Sequence, residues 1–236
     1  MAGIASFGGL SINTAGPGYT LTASSGALTG ATSNAFDITV GAPAQLVVAQ
    51  QPSNTASTAA ITPSPTVRIL DAGGNLTAST ANVSLAIGTN PTGGTLSGTA
   101  TVAAVGGVAS FPGLSINTAG NGYTLAASSG ALTGATSNTF NITVGAPAQL
   151  AFAQQPSNTA GGATITPSPT VRILDAGGNL TASTANVALA IGANPVGGTL
   201  EWHRPRWRQS PAWRLSTGCR STRRAMATRW LPPAAA

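Results

Sequence analysis

Side chains that could perform acid–base or nucleophilic chemistry are rare in residues 1–200 of this chain. That stretch contains no His, Cys, Lys or Glu, and its charged side chains are Asp37, Arg68, Asp71 and the repeat copies Arg172 and Asp175. Catalysis needs several titratable groups that converge on one site, and a Ser or Thr nucleophile needs a neighbouring base. The composition therefore predicts no catalytic residue, and we expect that the protein is not an enzyme.

Metal and cofactor sites are also not expected. Asp71 and Asn75 lie in one turn and could offer two oxygens, but calcium takes six to eight oxygen ligands. The simpler interpretation is a hairpin turn capped by these two side chains. His203 and Cys219 do not have the spacing of zinc ligands, and no glycine-rich loop joins a strand to a helix as a nucleotide site requires. We predict no metal site and no cofactor.

The chain repeats itself with a period of 104 residues. Gly3–Leu96 and Gly107–Leu200 are identical at 80 of 94 positions, with no insertion or deletion. This period is too long for one unit of a solenoid and suits one small domain. If a unit starts at the sequence PAQL, residues 43–146 form one complete repeat. Residues 1–42 are then the second part of a repeat, and residues 147–200 are the first part of another.

Residues 201–236 have a different composition from the repeats. They hold all four Trp, the single His, the single Cys and eight of the ten Arg, so the positive net charge of the chain comes from this tail. The genetic code permits a choice of codons for Trp207–Pro232 with a second meaning in another reading frame. Read from the third base of the Arg206 codon, these codons encode VAAVAGVASFNGLSINTAGNGYTLAA. That sequence differs from Val102–Ala127 at two positions. We interpret the tail as an out-of-frame reading of a third repeat.

This origin weighs against an evolved role for the basic tail. Arg/Trp-rich segments are otherwise typical of surfaces that bind nucleic acid or membranes, and we predict neither partner. No apolar run approaches the roughly 20 residues that span a bilayer. No charged segment followed by an apolar stretch stands at the start, so we expect a secretion signal to belong to a longer parent protein.

Alternation of apolar and polar residues predicts an all-β fold. Strict alternation is typical of strands that are buried on one face. In the complete repeat it relates the pairs and triplets Leu46/Val48, Val67/Ile69, Val83/Leu85/Ile87, Leu114/Ile116, Tyr123/Leu125/Ala127 and Phe140/Ile142/Val144. Turn sequences rich in Gly, Asn and Asp separate these runs. Seven or eight short strands in about 100 residues indicate tandem immunoglobulin-like antiparallel Greek-key β-sandwiches.

The sequence predicts that Tyr123 begins a strand just after a Gly/Asn turn at residues 119–122. A Tyr at such a position is similar to the tyrosine corner of immunoglobulin-like sandwiches, and an ordinary core Tyr is the alternative. Both interpretations predict a buried ring whose hydroxyl bonds to the backbone.

The complete repeat contains, in order, PAQLVVAQQPSNT, TVRILDAGGN, GGTLSGTATV and GVASFPGLSINTAGNGYTLAASSG. These segments resemble the bacterial Ig-like (Big-type) repeats of large surface proteins and adhesins, in the style of invasin and intimin stalks. The resemblance covers residues 3–200. It implies a bacterial extracellular or cell-surface location, a β-sandwich used as a spacer or adhesive module, and no shared catalytic residues.

Three functions stay open at this point. The first is a structural spacer whose partners are neighbouring repeats of a longer parent chain. The second is a module that binds a glycan or protein through loops at one sandwich end, for which Asn54–Pro65 and Gly88–Gly94 are candidates. The third is a non-functional, frameshifted gene fragment. Because the two part-repeats are complementary, head-to-tail self-association is a further expectation.

Overall fold

The computed structural model describes residues 3–201, which form strands and turns and contain no helix. The strands are, in chain order, β1 (Gly16–Tyr19), β2 (Thr22–Ala23), β3 (Ala31–Thr32), β4 (Phe36–Ile38), β5 (Pro43–Gln50), β6 (Thr55–Ala56), β7 (Thr66–Asp71), β8 (Asn82–Ile87), β9 (Leu96–Ser97), β10 (Thr101–Ala103), β11 (Val108–Ser110), β12 (Ser115–Ile116), β13 (Gly120–Tyr123), β14 (Leu125–Ser128), β15 (Ala135–Thr136), β16 (Phe140–Thr143), β17 (Pro147–Gln154) and β18 (Thr170–Asp175). The prediction of an all-β chain is confirmed.

Two facing sheets build the core of the complete repeat. One has the strand order β10-β8-β14-β15, and the other has the order β11-β7-β5, with antiparallel pairing throughout. Alternate side chains of β5, β7, β8 and β14 enter one apolar cluster, which is the arrangement of a β-sandwich. The smaller sheets β12-β9 and β13-β16-β6 complete the layers, and β6 runs parallel to β16.

Every buried apolar residue of the described chain lies between Leu46 and Ile142. The largest fully buried apolar side chains are those of Tyr123, Phe111, Ile61, Ile69, Leu114, Ile116, Leu125 and Ile142. The alternation pattern named most of this cluster correctly. Val144 is an exception, because β16 ends at Thr143 and the Val144 side chain is exposed.

The same strands recur 104 residues away, in the flanking part-repeats. The pairs β1-β4 and β2-β3 correspond in sequence to β13-β16 and β14-β15, and the pair β17-β18 corresponds to β5-β7. The first part-repeat even shows the same register irregularity, between Gly16 and Tyr19 as between Gly120 and Tyr123. Local sequence therefore dictates the same local pairing in each copy.

Contacts along the chain divide it into two units. Among the described residues, the first comprises residues 3–151 with Arg172–Thr181, and the second comprises Phe152–Val171 with residues 182–201. In the second unit, Ser157 donates a hydrogen bond to the carbonyl of Thr166. The boundaries 1–42, 43–146 and 147–200 stay a prediction. The out-of-frame interpretation of the tail falls on residues 202–236, outside the described residues. Residues 3–201 include no helix with the length and apolarity needed to cross a membrane.

Candidate functional site: the contact between consecutive repeats

The DAGGN sequence forms the same tight turn in both copies. At Asp71–Asn75 the Asp71 amide donates to the Asn75 carbonyl at 2.9 Å, and the Asn75 amide donates to Asp71 Oδ1 at 2.8 Å. Gly74 has a φ of +88°, a conformation that favours glycine. The turn at Asp175–Asn179 repeats these bonds at 2.9 and 2.8 Å. The predicted side-chain-capped hairpin turn is confirmed.

The Asn side chain of this turn also bonds to the preceding repeat. Asn179 Nδ2 donates to the carbonyl of Asn117 at 2.8 Å, and the amide of Ala119 donates to Asn179 Oδ1 at 2.9 Å. One side-chain amide thereby pairs with both an acceptor and a donor of the loop 117–119. We call the contact of turn 175–179 with residues 57, 117–119 and 145 the second joint.

A matching contact lies 104 residues earlier. Asn75 Nδ2 donates to the carbonyl of Asn13 at 2.7 Å, and the amide of Ala15 donates to Asn75 Oδ1 at 2.9 Å. The contact of turn 71–75 with residues 13–15 and 41 is the first joint. The same geometry thus occurs at both predicted repeat boundaries.

A glycine of the turn lets the two backbones approach. A Cβ on Gly177 would lie 2.0 Å from the Asn117 carbonyl oxygen, and a Cβ on Gly73 would lie 2.2 Å from that of Asn13. Real Cβ atoms do not come so close to a backbone oxygen, so any larger residue would push the turn away. The second residue after the Asp is therefore restricted to glycine by the neighbouring repeat.

The Asp carboxylate makes a second connection to the preceding repeat. Asp175 Oδ2 accepts from the Gly145 amide at 2.8 Å and from the Ser57 hydroxyl, and the side chain is fully buried. In the first joint, Asp71 Oδ2 accepts from the Gly41 amide, also at 2.8 Å. Both glycines stand two residues before the PAQL sequence, so the carboxylate holds the link between repeats.

These contacts favour the ionised carboxylates. The Asn75 side chain first, and then the amides of Gly41 and Asn75, lower the pKa of Asp71 from 3.8 to about 2. Burial raises the pKa of Asp175, but the hydrogen bonds from Ser57, Gly145 and Asn179 outweigh it, and the net pKa is well below its usual range. Both side chains therefore accept hydrogen bonds as anions at neutral pH.

Tyr123 supports the loop that the turn contacts. Its ring is fully buried against Phe140, and its hydroxyl donates to the carbonyl of Thr118 at 2.9 Å. The prediction of a buried Tyr bonded to backbone is confirmed, but the prediction that Tyr123 begins a strand is wrong, because Tyr123 is the last residue of β13. Because Thr118 lies between the two residues that meet Asn179, the tyrosine orients both of them from inside the core.

The two loops proposed as ligand-binding surfaces both lie near this contact. In Asn54–Pro65, the buried Ser57 bonds to Asp175 of the next repeat. In Gly88–Gly94, the Thr92 hydroxyl lies 2.5 Å from the Tyr123 hydroxyl. Within a tandem array, part of the first loop is therefore covered by a neighbouring repeat.

The carboxylate oxygens of both joints accept hydrogen bonds from the protein itself. Each Oδ of Asp71 and Asp175 accepts N–H or O–H donors of the protein. Among residues 3–201, no group of three or more His, Cys, Asp or Glu side chains is placed to hold a metal ion.

The sequence predicts the DAGGN turn but not its contacts with the preceding repeat. The hydrogen-bond partners of Asn179 lie 60 and 62 residues earlier in the chain. The alternation of apolar residues along a strand carries no information about contacts between such distant positions. One signal was present: DAGGN, NTAG and the Gly before PAQL are all unchanged between the copies, although nearby loop positions differ.

No family model matches this chain, and no curated protein matches it. Solved structures do match. Domains 4–9 of the surface layer protein SbsC are 17% identical over 66% of this chain and 23% of that chain, with a TM-score of 0.35. The S-layer protein rSbsC(31-844) is 17% identical over 66% of this chain and 19% of that chain, with a TM-score of 0.34. The chain thus matches about a fifth of the length of each of these proteins.

Proposed function

We propose that this chain is a non-enzymatic spacer of a bacterial cell-surface or secreted protein, in which tandem β-sandwich repeats form a stalk. The observation that carries the proposal is the joint, which occurs twice at a spacing of 104 residues with the same turn, the same amide pair and the same carboxylate contact. A module that only had to be tethered to its neighbour would not need this contact.

The joint fixes one repeat relative to the next at two separate places. The Asn179 amide holds the loop 117–119, and the Asp175 carboxylate holds the linker at Gly145. Two attachment points prevent the hinge motion that one linker allows. A contact between unlike faces, repeated along a chain without closing into a ring, generates an open linear array. Repetition of one fixed joint therefore produces a stiff rod.

The location at the cell surface is supported by the sequence. The repeats resemble bacterial Ig-like repeats of surface proteins, and residues 1–200 carry five charged side chains. Ser, Thr and Asn side chains on the exposed faces retain water without charge, which suits a spacer that should not attract ligands.

Distance measurement in a tandem array tests the rod. Three copies of Pro43–Ala146 would be joined, with a spin label at the exposed position Thr99→Cys in two adjacent units. We expect a narrow distribution of label distances. Asn75→Ala in each unit removes the amide pair and should broaden that distribution.

Asn90→Ala is the matched control, because Asn90 bonds to Gly94 within its own loop. It should leave the distribution narrow. A parent array whose distribution is as broad as that of Asn75→Ala would contradict the proposal.

A further inference from the structure

The side chain of Ser57 connects the complete repeat to the turn 175–179 across the second joint. Ser57 is 4% exposed, and its hydroxyl donates to Asp175 Oδ2 at 2.5 Å. The same oxygen accepts from the Gly145 amide at 2.8 Å. Two donors of the preceding repeat therefore meet on one oxygen of a fully buried carboxylate. Hydrogen bonds to a charged acceptor are stronger than those between neutral groups, so each of these donors contributes to the joint.

The backbone around Ser57 is bonded to its own repeat. The Ser57 amide donates to the Thr143 carbonyl at 2.8 Å, next to the parallel pairing of β6 with β16. The amide of the following residue, Thr58, donates to the Ile116 carbonyl at 2.9 Å. The main chain at residues 57 and 58 is thus fixed to the ends of β16 and β12, while the Ser57 hydroxyl bonds across the joint.

Thr58 has a backbone conformation that β-branched residues rarely adopt. Its φ is +62°, and among residues 3–201 it is the one residue other than glycine with a positive φ. It occupies the third position of a turn in which the Ala59 amide donates to the Ala56 carbonyl at 3.1 Å. Glycine adopts a positive φ without steric cost, whereas Thr does not. Such strain persists where the surrounding structure holds it, and it is concentrated at functional positions.

The following repeat has a different sequence at this turn. Gly161 and Gly162 stand at the positions of Ser57 and Thr58. Gly162 keeps the positive φ, at +77°, and the same turn forms there without a strained side chain. Gly161 has no hydroxyl, so it cannot donate to a carboxylate. The acceptor does not vary in the same way, because DAGGN is unchanged between the copies.

We infer that residue 57 determines how firmly one repeat is held to the repeat that comes after it. A repeat with Ser at this position holds the next carboxylate through both the hydroxyl and the linker amide. A repeat with Gly there, as at Gly161, holds it through the linker amide alone. Arrays that contain both kinds of repeat therefore have stiffer and more flexible joints at positions that the sequence sets. The inference rests on the proposed spacer function, in which the joint fixes consecutive repeats.

Hydrogen exchange in the full 236-residue chain tests the role of the hydroxyl. Ser57→Ala removes the hydroxyl and keeps the backbone bonds of the turn. The Gly145 amide, which shares the Asp175 oxygen, should exchange about tenfold faster, because the joint opens more easily without one bond to a charged group. Ser53→Ala is the matched control, because the Ser53 hydroxyl bonds to the Thr62 carbonyl within its own loop. It should leave the exchange of Gly145 unchanged.

Titration of the Asp175 carboxylate by NMR gives a second readout. The Ser57 hydroxyl is among the donors that lower the pKa of Asp175. Ser57→Ala should therefore raise this pKa toward its ordinary value, and Ser53→Ala should not. An unchanged pKa in Ser57→Ala would overturn the inference, because the hydroxyl would not bond to the carboxylate. Unchanged exchange at Gly145 would also overturn it, because the bond would not hold the joint.

The spin-labelled array of three copies separates this inference from the spacer function. In that array, Asp71 of each following copy takes the place of Asp175. Ser57→Ala in every copy should broaden the distribution of label distances relative to the parent. If the parent and Ser57→Ala are equally narrow, the spacer function stands and the inference is wrong. A broad distribution in the parent contradicts the spacer function instead, while exchange and titration in the full chain still report the contact of Ser57.

Discussion

Asp71 and Asp175 occupy equivalent positions, and each carboxylate connects a turn to the repeat before it. Few other charges stand nearby, because residues 1–200 contain two Arg and three Asp. The donors are backbone amides, a hydroxyl and a side-chain amide, so each anion is stabilised by dipoles and not by an opposite charge. Hydrogen bonds to a charged acceptor are about twice as strong as neutral ones, which lets one short side chain hold the linker.

Acid should weaken the first joint through Asp71. The folded pKa is about 2 and the ordinary value is 3.8, so the ionised side chain stabilises the folded state above about pH 4, and this contribution is lost as the pH falls through 2. We expect the difference in thermal midpoint between the parent and Asp71→Asn to be largest above about pH 4 and to shrink toward pH 2. Calorimetry from pH 6 to 2 measures it, and a difference that is constant with pH would contradict this.

Gly177→Ala should open the second joint without touching a core. The added methyl would meet the Asn117 carbonyl at 2.0 Å, so the turn must move away and Ala119 must lose its bond to Asn179. Faster amide exchange at Ala119 is the expected result. Gly161→Ala is the control, because a Cβ there meets no atom within 4 Å. Unchanged protection of Ala119 in Gly177→Ala would show that the turn does not press on the loop.

Strand elements were predictable where burial imposes alternation, and not elsewhere. Leu46 and Val48 in β5, and Val67 and Ile69 in β7, lie inward as the alternation predicts. Two-residue strands such as β6, β9 and β15 gave no signal, because two residues have no period. Strand β12 was predicted through the alternation of Leu114 and Ile116. The complete repeat therefore contains more strands than the seven or eight expected. The contacts of the joints could not be predicted either, because they connect loops that are far apart in the sequence. The Asn and Gly residues that make these contacts are already accounted for by their preference for turns.

Identical elements in different surroundings allow a paired measurement of core packing. Phe111 is fully buried in the complete repeat, and its counterpart Phe7 is largely exposed. Phe111→Ala should lower the free energy of unfolding by about 3–5 kcal/mol, because it removes apolar contacts and leaves a cavity. Phe7→Ala should change it by less than about 0.5 kcal/mol. Urea unfolding followed by circular dichroism gives both values. Equal losses would mean that Phe7 is also packed in a core.

At the scale of the whole molecule, stability and shape come from different interactions. The complete repeat has its own apolar cluster, whereas in the array that we propose the shape would depend on a few hydrogen bonds between repeats. Such an array can lose its stiffness without unfolding. It should also keep its stiffness in salt, because the charged groups of the joint, Asp71 and Asp175, are buried, and salt screens buried charges much less than exposed ones.

The length of tandem arrays tests this separation. We expect the end-to-end distance of arrays with two, four and six copies of Pro43–Ala146 to grow in proportion to the number of copies, as for a rod. A flexible string grows with about the square root of that number. Asn75→Ala in every copy should move the array toward the square-root dependence at temperatures where the repeats stay folded, although the loss of the Asn75–Asp71 bonds within the turn should lower the unfolding midpoint. Small-angle X-ray scattering measures the size, and calorimetry measures the midpoint. If the variant shortens the array only when its repeats also unfold, the prediction is wrong. The stiffness would then come from the folded sandwiches and not from the hydrogen bonds of the joint.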